Sequence, residues 1–128
     1  MGVNKLHDEF HTIDMNNGWQ LPDGYDPESG ALEKILSGEL DTENKKGSRT
    51  RLLKFPAGFF SSKPIVHDYW EEVFLVSGDL TVGNDAAGKG GTPFSGYTYA
   101  VRPPDAWHGP FKSEQGCLLL EIHYFDPV

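Results

Sequence analysis

The chain has 128 residues, enough for one domain with its own core. An apolar fraction of 38% with 12% aromatics excludes a disordered polymer, and 19 acidic against 11 basic residues give a formal charge of −8 that repels a phosphate backbone, so nucleic acid is not expected as a partner. The single cysteine, Cys117, leaves no disulfide within the chain and points to a reducing cytoplasm; the polar start "MGVNKLHDEFHTID" lacks the apolar core of a signal peptide, and no run approaches the ~18 apolar residues that span a bilayer.

Fifteen glycines and nine prolines interrupt the chain at short intervals, and no segment sustains a 3.6-residue period. The pattern predicts an all-β sandwich or barrel in one domain spanning residues 1–128. Residues 1–30, with the turn-rich "MNNGWQLPDGYDPESG", form an irregular segment that wraps the surface, and the barrel core occupies about 31–125. Strands are expected at "ALEKILS" (31–37), "TRLLKF" (50–55), "EVFLVSG" (72–78), "DLTVG" (79–83), "TYAVR" (98–102) and "CLLLEIHYF" (117–125). "DTENKKGS" (41–48) reads as a charged loop and "NDAAGKGGTPFSG" (84–96) as a flexible one.

Alternation assigns faces. In "EEVFLV" (71–76), Glu71, Val73 and Leu75 point one way and Glu72, Phe74 and Val76 the other, both apolar beyond the glutamates. Such a strand is expected to be covered on both sides, by a second sheet or by a partner subunit, which favours a homodimer. A carboxylate at the start of a buried strand is costly unless something pairs with it, and a metal ion is one such partner. Further along, Pro103 and Pro104 mark a sharp strand end that would mount His108 rigidly. In the last strand, Glu121 and His123 share a face with Leu119, and Leu118, Leu120, Ile122 and Tyr124 share the other. Either face suits the interior, so Glu121 and His123 read as a surface polar pair or, if inside, offer His123 as an extra ligand. Arg51, Tyr99 and Arg102 are candidates to line a cavity and hold an anion, or else to sit in surface pairs, and Trp107 is a pocket wall, core or dimer contact. The "HDEFH" at the start is not the zinc-protease spacing, since Asp8 follows the first histidine.

Two segments together resemble the cupin family. "IVHDYWEEVFLVSG" (65–78) gives His67-x(3)-Glu71-x(6)-Gly78, the end of the first cupin motif. "GYTYAVRPPDAWHGPF" (96–111) places Pro103, Asp105 and His108 on the second motif's P-x-G-x(2)-H, with Gly96 one residue upstream of its expected place. The similarity spans roughly residues 50–125 and extends loosely to acetylacetone-cleaving dioxygenases. It implies a double-stranded β-helix, or jelly-roll barrel, holding one divalent metal through His67, Glu71 and His108. A set of two imidazoles and one carboxylate suits Fe(II) first, with Zn, Mn or Ni as alternatives. The implied substrate is a small carbonyl or enolate compound, and the implied reaction a dioxygenation. Metal-dependent isomerisation or elimination, and ligand binding without metal or catalysis, are the alternatives. The pattern breaks at two places: Ile65 stands where the family has its first histidine, and Asp105 where it has glycine. Placing His67 on the first histidine and Tyr69 on the second leaves the stretch to Glu71 too short. Glu72 is kept as a second choice for the carboxylate, one register step from Glu71.

Overall fold

The computed structural model describes residues 3–126. Eight antiparallel strands follow one another: β1 (Leu32–Asp41), β2 (Lys46–Phe55), β3 (Phe59–Phe60), β4 (Trp70–Val82), β5 (Thr92–Ser95), β6 (Thr98–Arg102), β7 (Phe111–Ser113) and β8 (Cys117–Tyr124). They form a curled jelly-roll sheet in the order β1-β2-β8-β4-β7-β3, with β5 and β6 also paired to β4. The all-β expectation and the barrel class both hold. Before β1 the described chain has only a short 3-10 turn, Pro27–Ser29, and one bridge between Gln20 and Glu33. No helix among the described residues is long and apolar enough to cross a membrane.

The long strand β4 organises the sheet. Its residues 70–78 pair with β8 and 71–75 with β6, whereas 79–82 pair with β5 and 81–82 with β7. The exchange of partners falls at a bulge between Leu75 and Ser77 followed by Gly78, whose φ is +87°. A β-carbon there would stand 2.0 Å from the carbonyl oxygen of Gly116, so only glycine fits the crossing of β4 over the start of β8. The two strands expected at 72–78 and 79–83 are thus one bent strand.

Three further boundaries differ from the sequence reading. The charged loop shrinks to a turn at 42–45, because Asp41 ends β1 and Lys46 begins β2. The loop 84–96 contains β5, a wholly exposed edge strand that includes Pro93 and so lacks the apolar alternation that would announce it. The two-residue β3 and three-residue β7 are too short to show a period.

The interior is layered because inward residues fall in register. Leu53 on β2 faces Leu119 on β8, which faces Leu75 on β4. With Phe55, Phe59, Val73, Leu80 and Cys117 they make the apolar floor, and Phe55 stacks on Phe59 at 4.0 Å between ring centres. Each such buried side chain contributes roughly 1.5–3 kcal/mol. Four residues along, the same inward face becomes polar. Arg49 on β2, His123 on β8, Glu71 on β4 and Arg102 on β6 form one cross-strand row, and Arg51 faces Glu121 in the row beneath.

The outer face of β4 corrects one expectation. Glu72 and Phe74 are half-buried and Val76 is exposed, so that side of the strand is not covered by a second sheet of this chain.

Candidate metal centre

Glu71 stands where three strands and a loop converge. It is buried, and its carboxylate oxygens are approached from four directions. Oε1 lies 3.1 Å from His67 Nε2 and 3.2 Å from His123 Nε2. Oε2 accepts a hydrogen bond from Arg102 Nη1 at 2.7 Å and lies 3.7 Å from His108 Nε2. Burial alone would raise this carboxyl, but the imidazoles of His123 and His67 outweigh it and hold Glu71 well below the usual carboxylate range. Glu71 is therefore an anion, as a metal ligand must be.

His108 is held by the corner that Pro103 and Pro104 build. Asp105 takes a left-handed conformation, φ +68°, and donates its N–H to His67 O at 2.9 Å. That conformation is why the related motif carries glycine there, and a short polar side chain tolerates it. His108 and Ile65 exchange backbone hydrogen bonds of 2.7 and 2.9 Å, so the chain of the first motif is tied to that of the second. The His108 Nδ1 lies 3.0 Å from Ala106 O, and a carbonyl only accepts, so Nδ1 carries the proton. The Nε2 lone pair is then left in the interior with no hydrogen-bond partner. Burial lowers the imidazole's proton affinity and keeps it neutral. His67, stacked on Tyr69 at 4.1 Å, completes a set with Glu71 and His108 whose ligand atoms lie within 4.8 Å of one another.

His123 is entirely buried, so the surface-pair reading of Glu121 and His123 does not hold: the Leu119 face is the interior. Its Nδ1 takes hydrogen bonds from Arg49 Nε at 3.2 Å and Nη2 at 2.7 Å. Guanidinium only donates, so the lone pair sits on Nδ1 and the proton on Nε2. That N–H stands between two carboxylates, 3.2 Å from Glu71 Oε1 and 3.3 Å from Glu121 Oε1, aligned well with neither. With the proton there, Nε2 donates toward both carboxylates; were a metal to displace that proton, Glu71, Glu121 and His123 would form a second candidate set, their ligand atoms within 4.8 Å of one another, so His123 stands as an alternative ligand. Beneath it, Arg51 gives Nε and Nη2 to Glu121 Oε1 at 2.9 and 2.7 Å and Nη1 to Glu33 Oε1 at 2.7 Å. Burial opposes the charge of Glu121, but Arg51 outweighs it and lowers that carboxyl.

A cavity of about 290 Å³ opens over this row, lined among others by Tyr25, Arg49, Arg51, Ile65, His67, Tyr69, Glu71, Arg102, His108 and Glu121. Arg51 and Arg102 thus stand where the sequence suggested. Glu72, Tyr99 and Trp107 stand outside the cavity, and Tyr99 takes its other reading, a surface pair. Glu72 points outward and accepts hydrogen bonds from Tyr99 Oη at 2.6 Å and Tyr124 Oη at 2.9 Å, because before the bulge odd residues of β4 face in and even ones out. Tyr99 is 56% and Trp107 68% exposed, outside the cavity. His7 and His11 are exposed and lie against their neighbours Glu9 and Asp8. Sequence reading passed over Arg49, Glu33 and the inward role of Glu121. The signal was present in "RTRLLKF", where Arg49 and Arg51 alternate in phase with Leu53 and Phe55 and so share their face.

No family model matches the sequence, and no curated protein matches it. Solved structures do match in fold. An RmlC-like cupin from Shewanella frigidimarina aligns with a TM-score of 0.64 at 15% identity, covering 97% of this chain and 96% of that one. KdgF from a Halomonas species gives 0.62 at 19% identity over 94% and 96%. An acetylacetone dioxygenase from Acinetobacter johnsonii gives 0.60 at 21% identity over 99% and 81%. The fold is that of the cupin superfamily.

Proposed function

We propose that the protein binds one divalent metal ion through His67 Nε2, Glu71 and His108 Nε2 and acts on a small carbonyl or enolate compound. The observation that carries this reading is the His108 Nε2 lone pair, buried beside an anionic carboxylate with its ring fixed from behind by Ala106 O. Metal-bound histidines are characteristically held this way, with the far nitrogen donating to a carbonyl. When bound, the metal supplies Lewis acidity toward the carbonyl oxygen.

The chain's own residues prepare the site. Arg102 fixes the Glu71 carboxylate from the β6 side by a 2.7 Å hydrogen bond, and the His123 N–H lies beside it on the β8 side, so the carboxylate needs little reorganisation. Leu53, Val73, Leu80 and Leu119 line the cavity floor and keep bulk water from the reacting atoms, which strengthens every charge interaction above them. Ile65 lines the wall where the family's fourth ligand would stand, leaving a three-ligand set with room for substrate. Fe(II) is the first choice for such a set, with Zn, Mn and Ni as alternatives. The acetylacetone dioxygenase neighbour supports oxygen-dependent cleavage of a β-dicarbonyl as the reaction. Isomerisation or elimination through an enolate would use the same residues.

A second reading is a barrel that binds a ligand without metal. It is favoured by Arg102, which already occupies Glu71 Oε2 at 2.7 Å. Purification without chelator followed by mass-spectrometric metal analysis separates the two. The metal reading expects close to one ion per chain and its loss in His108→Ala. Substoichiometric metal, unchanged in His108→Ala, would establish the second. Oxygen uptake with a panel of β-dicarbonyls then distinguishes dioxygenation from isomerisation.

A further inference from the structure

The three arginines that line the cavity are not equivalent. Arg51 is committed to Glu33 and Glu121, and Arg102 to Glu71. Arg49 makes no ion pair with a carboxylate among the described residues; its two hydrogen bonds go to the neutral face of His123. Of its five N–H donors three remain, in a half-buried position on the cavity wall. A guanidinium in that setting is completed by an anion, and a planar carboxylate suits its fork.

Its place matters as much as its charge. Arg49, His123 and Glu71 are consecutive members of one cross-strand row, so Arg49 stands one imidazole away from the carboxylate at the proposed metal centre. Tyr69, whose ring is 5.0 Å from that of His123, lies in the field of Arg49 and adds a hydroxyl to the same wall. A ligand held by Arg49 at one end thus has its other end in the cavity that His67, Glu71 and His108 also line. The cavity, about 290 Å³, is at the small end for ligand sites and suits a small ligand.

We infer that the substrate class is a short oxo-carboxylate, its carboxylate taken by Arg49 and its carbonyl presented to His67, Glu71 and His108. The carbonyl half of this assignment rests on the metal reading above; the carboxylate half rests on Arg49 alone. Arg49 then has two functions, locking the tautomer of His123 and selecting the charge of the ligand.

The test compares two molecules of nearly equal shape, 3-oxobutanoate and 2,4-pentanedione, which differ in a carboxylate against an acetyl group. Both are titrated by calorimetry into the full chain, metal-free and loaded with redox-inert Zn(II). The oxo acid is expected to bind roughly tenfold or more tightly than the diketone in both forms. In the metal-free chain, where no bound ion depends on the His123 tautomer, Arg49→Met is expected to weaken the oxo acid to the level of the diketone, and Arg49→Lys to keep part of the preference. Melting temperatures confirm that both variants are folded, and Arg49→Lys carries the test if Arg49→Met is not. Equal affinity for the two molecules, a preference that survives in Arg49→Met, or binding of neither molecule to either form overturns the inference. A wild-type protein that takes up no zinc but still prefers the oxo acid through Arg49 overturns the metal reading and leaves the carboxylate assignment standing.

Discussion

Glu71 shows how much of this site is decided by single protons. Four groups approach its two oxygens, and which of them can share a metal depends on where each imidazole keeps its hydrogen. Ala106 O forces the proton of His108 onto Nδ1 and frees Nε2; Arg49 forces the lone pair of His123 onto Nδ1 and protonates Nε2. Two buried histidines on the same carboxylate thus take opposite parts, ligand and positioning residue. His108→Ala is expected to abolish metal binding. His123→Ala is expected to keep one ion per chain while weakening its affinity about 10- to 100-fold, the usual cost of removing a group that orients a ligand. Equilibrium competition with a chelator measures both; complete loss in His123→Ala would make His123 a ligand and refute the tautomer argument.

At the scale of elements, β4 carries both the fold and the site. Its odd residues place Glu71 above Val73 and Leu75, and its bend at Gly78 lets one strand serve two parts of the sheet. Gly78→Ala meets the carbonyl of Gly116 at 2.0 Å and adds a left-handed backbone penalty of ~1–3 kcal/mol, so a loss of at least about 2 kcal/mol in urea unfolding is expected. A change under about 0.5 kcal/mol would show that β4 and β8 separate freely there. The residues that mark the site in the sequence are the ones with a fixed spacing: His67, Glu71 and Gly78 in one segment, Pro103 and His108 in the other. What stayed hidden depended on pairing across the sheet. Alternation in β8 left two faces open, and only the register Arg49–His123–Glu71 shows that His123 looks inward. Alternation already puts Glu72 on the face opposite Glu71, and the structure pairs it there with Tyr99 on the outer face, whereas for Tyr99 only the pairing of β6 with β4 fixes the side. The strands β3, β5 and β7 exist because β4 and each other offer partners, and nothing in two to four residues encodes that alone.

For the molecule as a whole, the polar layer inside the barrel makes stability depend on pH. Glu121 is enclosed by Arg51 from β2, His123 on its own strand and Glu71 from β4, with Glu33 of β1 on the far side of Arg51. Repulsion from Glu71 opposes its ionisation, but Arg51 prevails, and the folded carboxyl titrates below its ordinary value of 4.5. A group whose folded value is depressed stabilises the fold above its unfolded value and loses that contribution as the pH falls through the folded one. The metal-free protein is therefore expected to hold its melting temperature through neutral pH and to lose it progressively below pH 4.5. Glu121→Gln removes the charge but leaves Arg51 with one carboxylate instead of two. That change is expected to cost about 3 kcal/mol at pH 7, the scale of breaking a buried ion pair, and to reduce without removing the dependence below pH 4.5, since Glu71 and Asp79 are also depressed and still titrate. Thermal melts of both proteins from pH 7 to pH 3 read the two effects separately. If Glu121→Gln lowers the melting temperature by the same amount at every pH, the acid loss arises elsewhere in the fold, and the Arg51–Glu121 pair contributes no proton linkage to it.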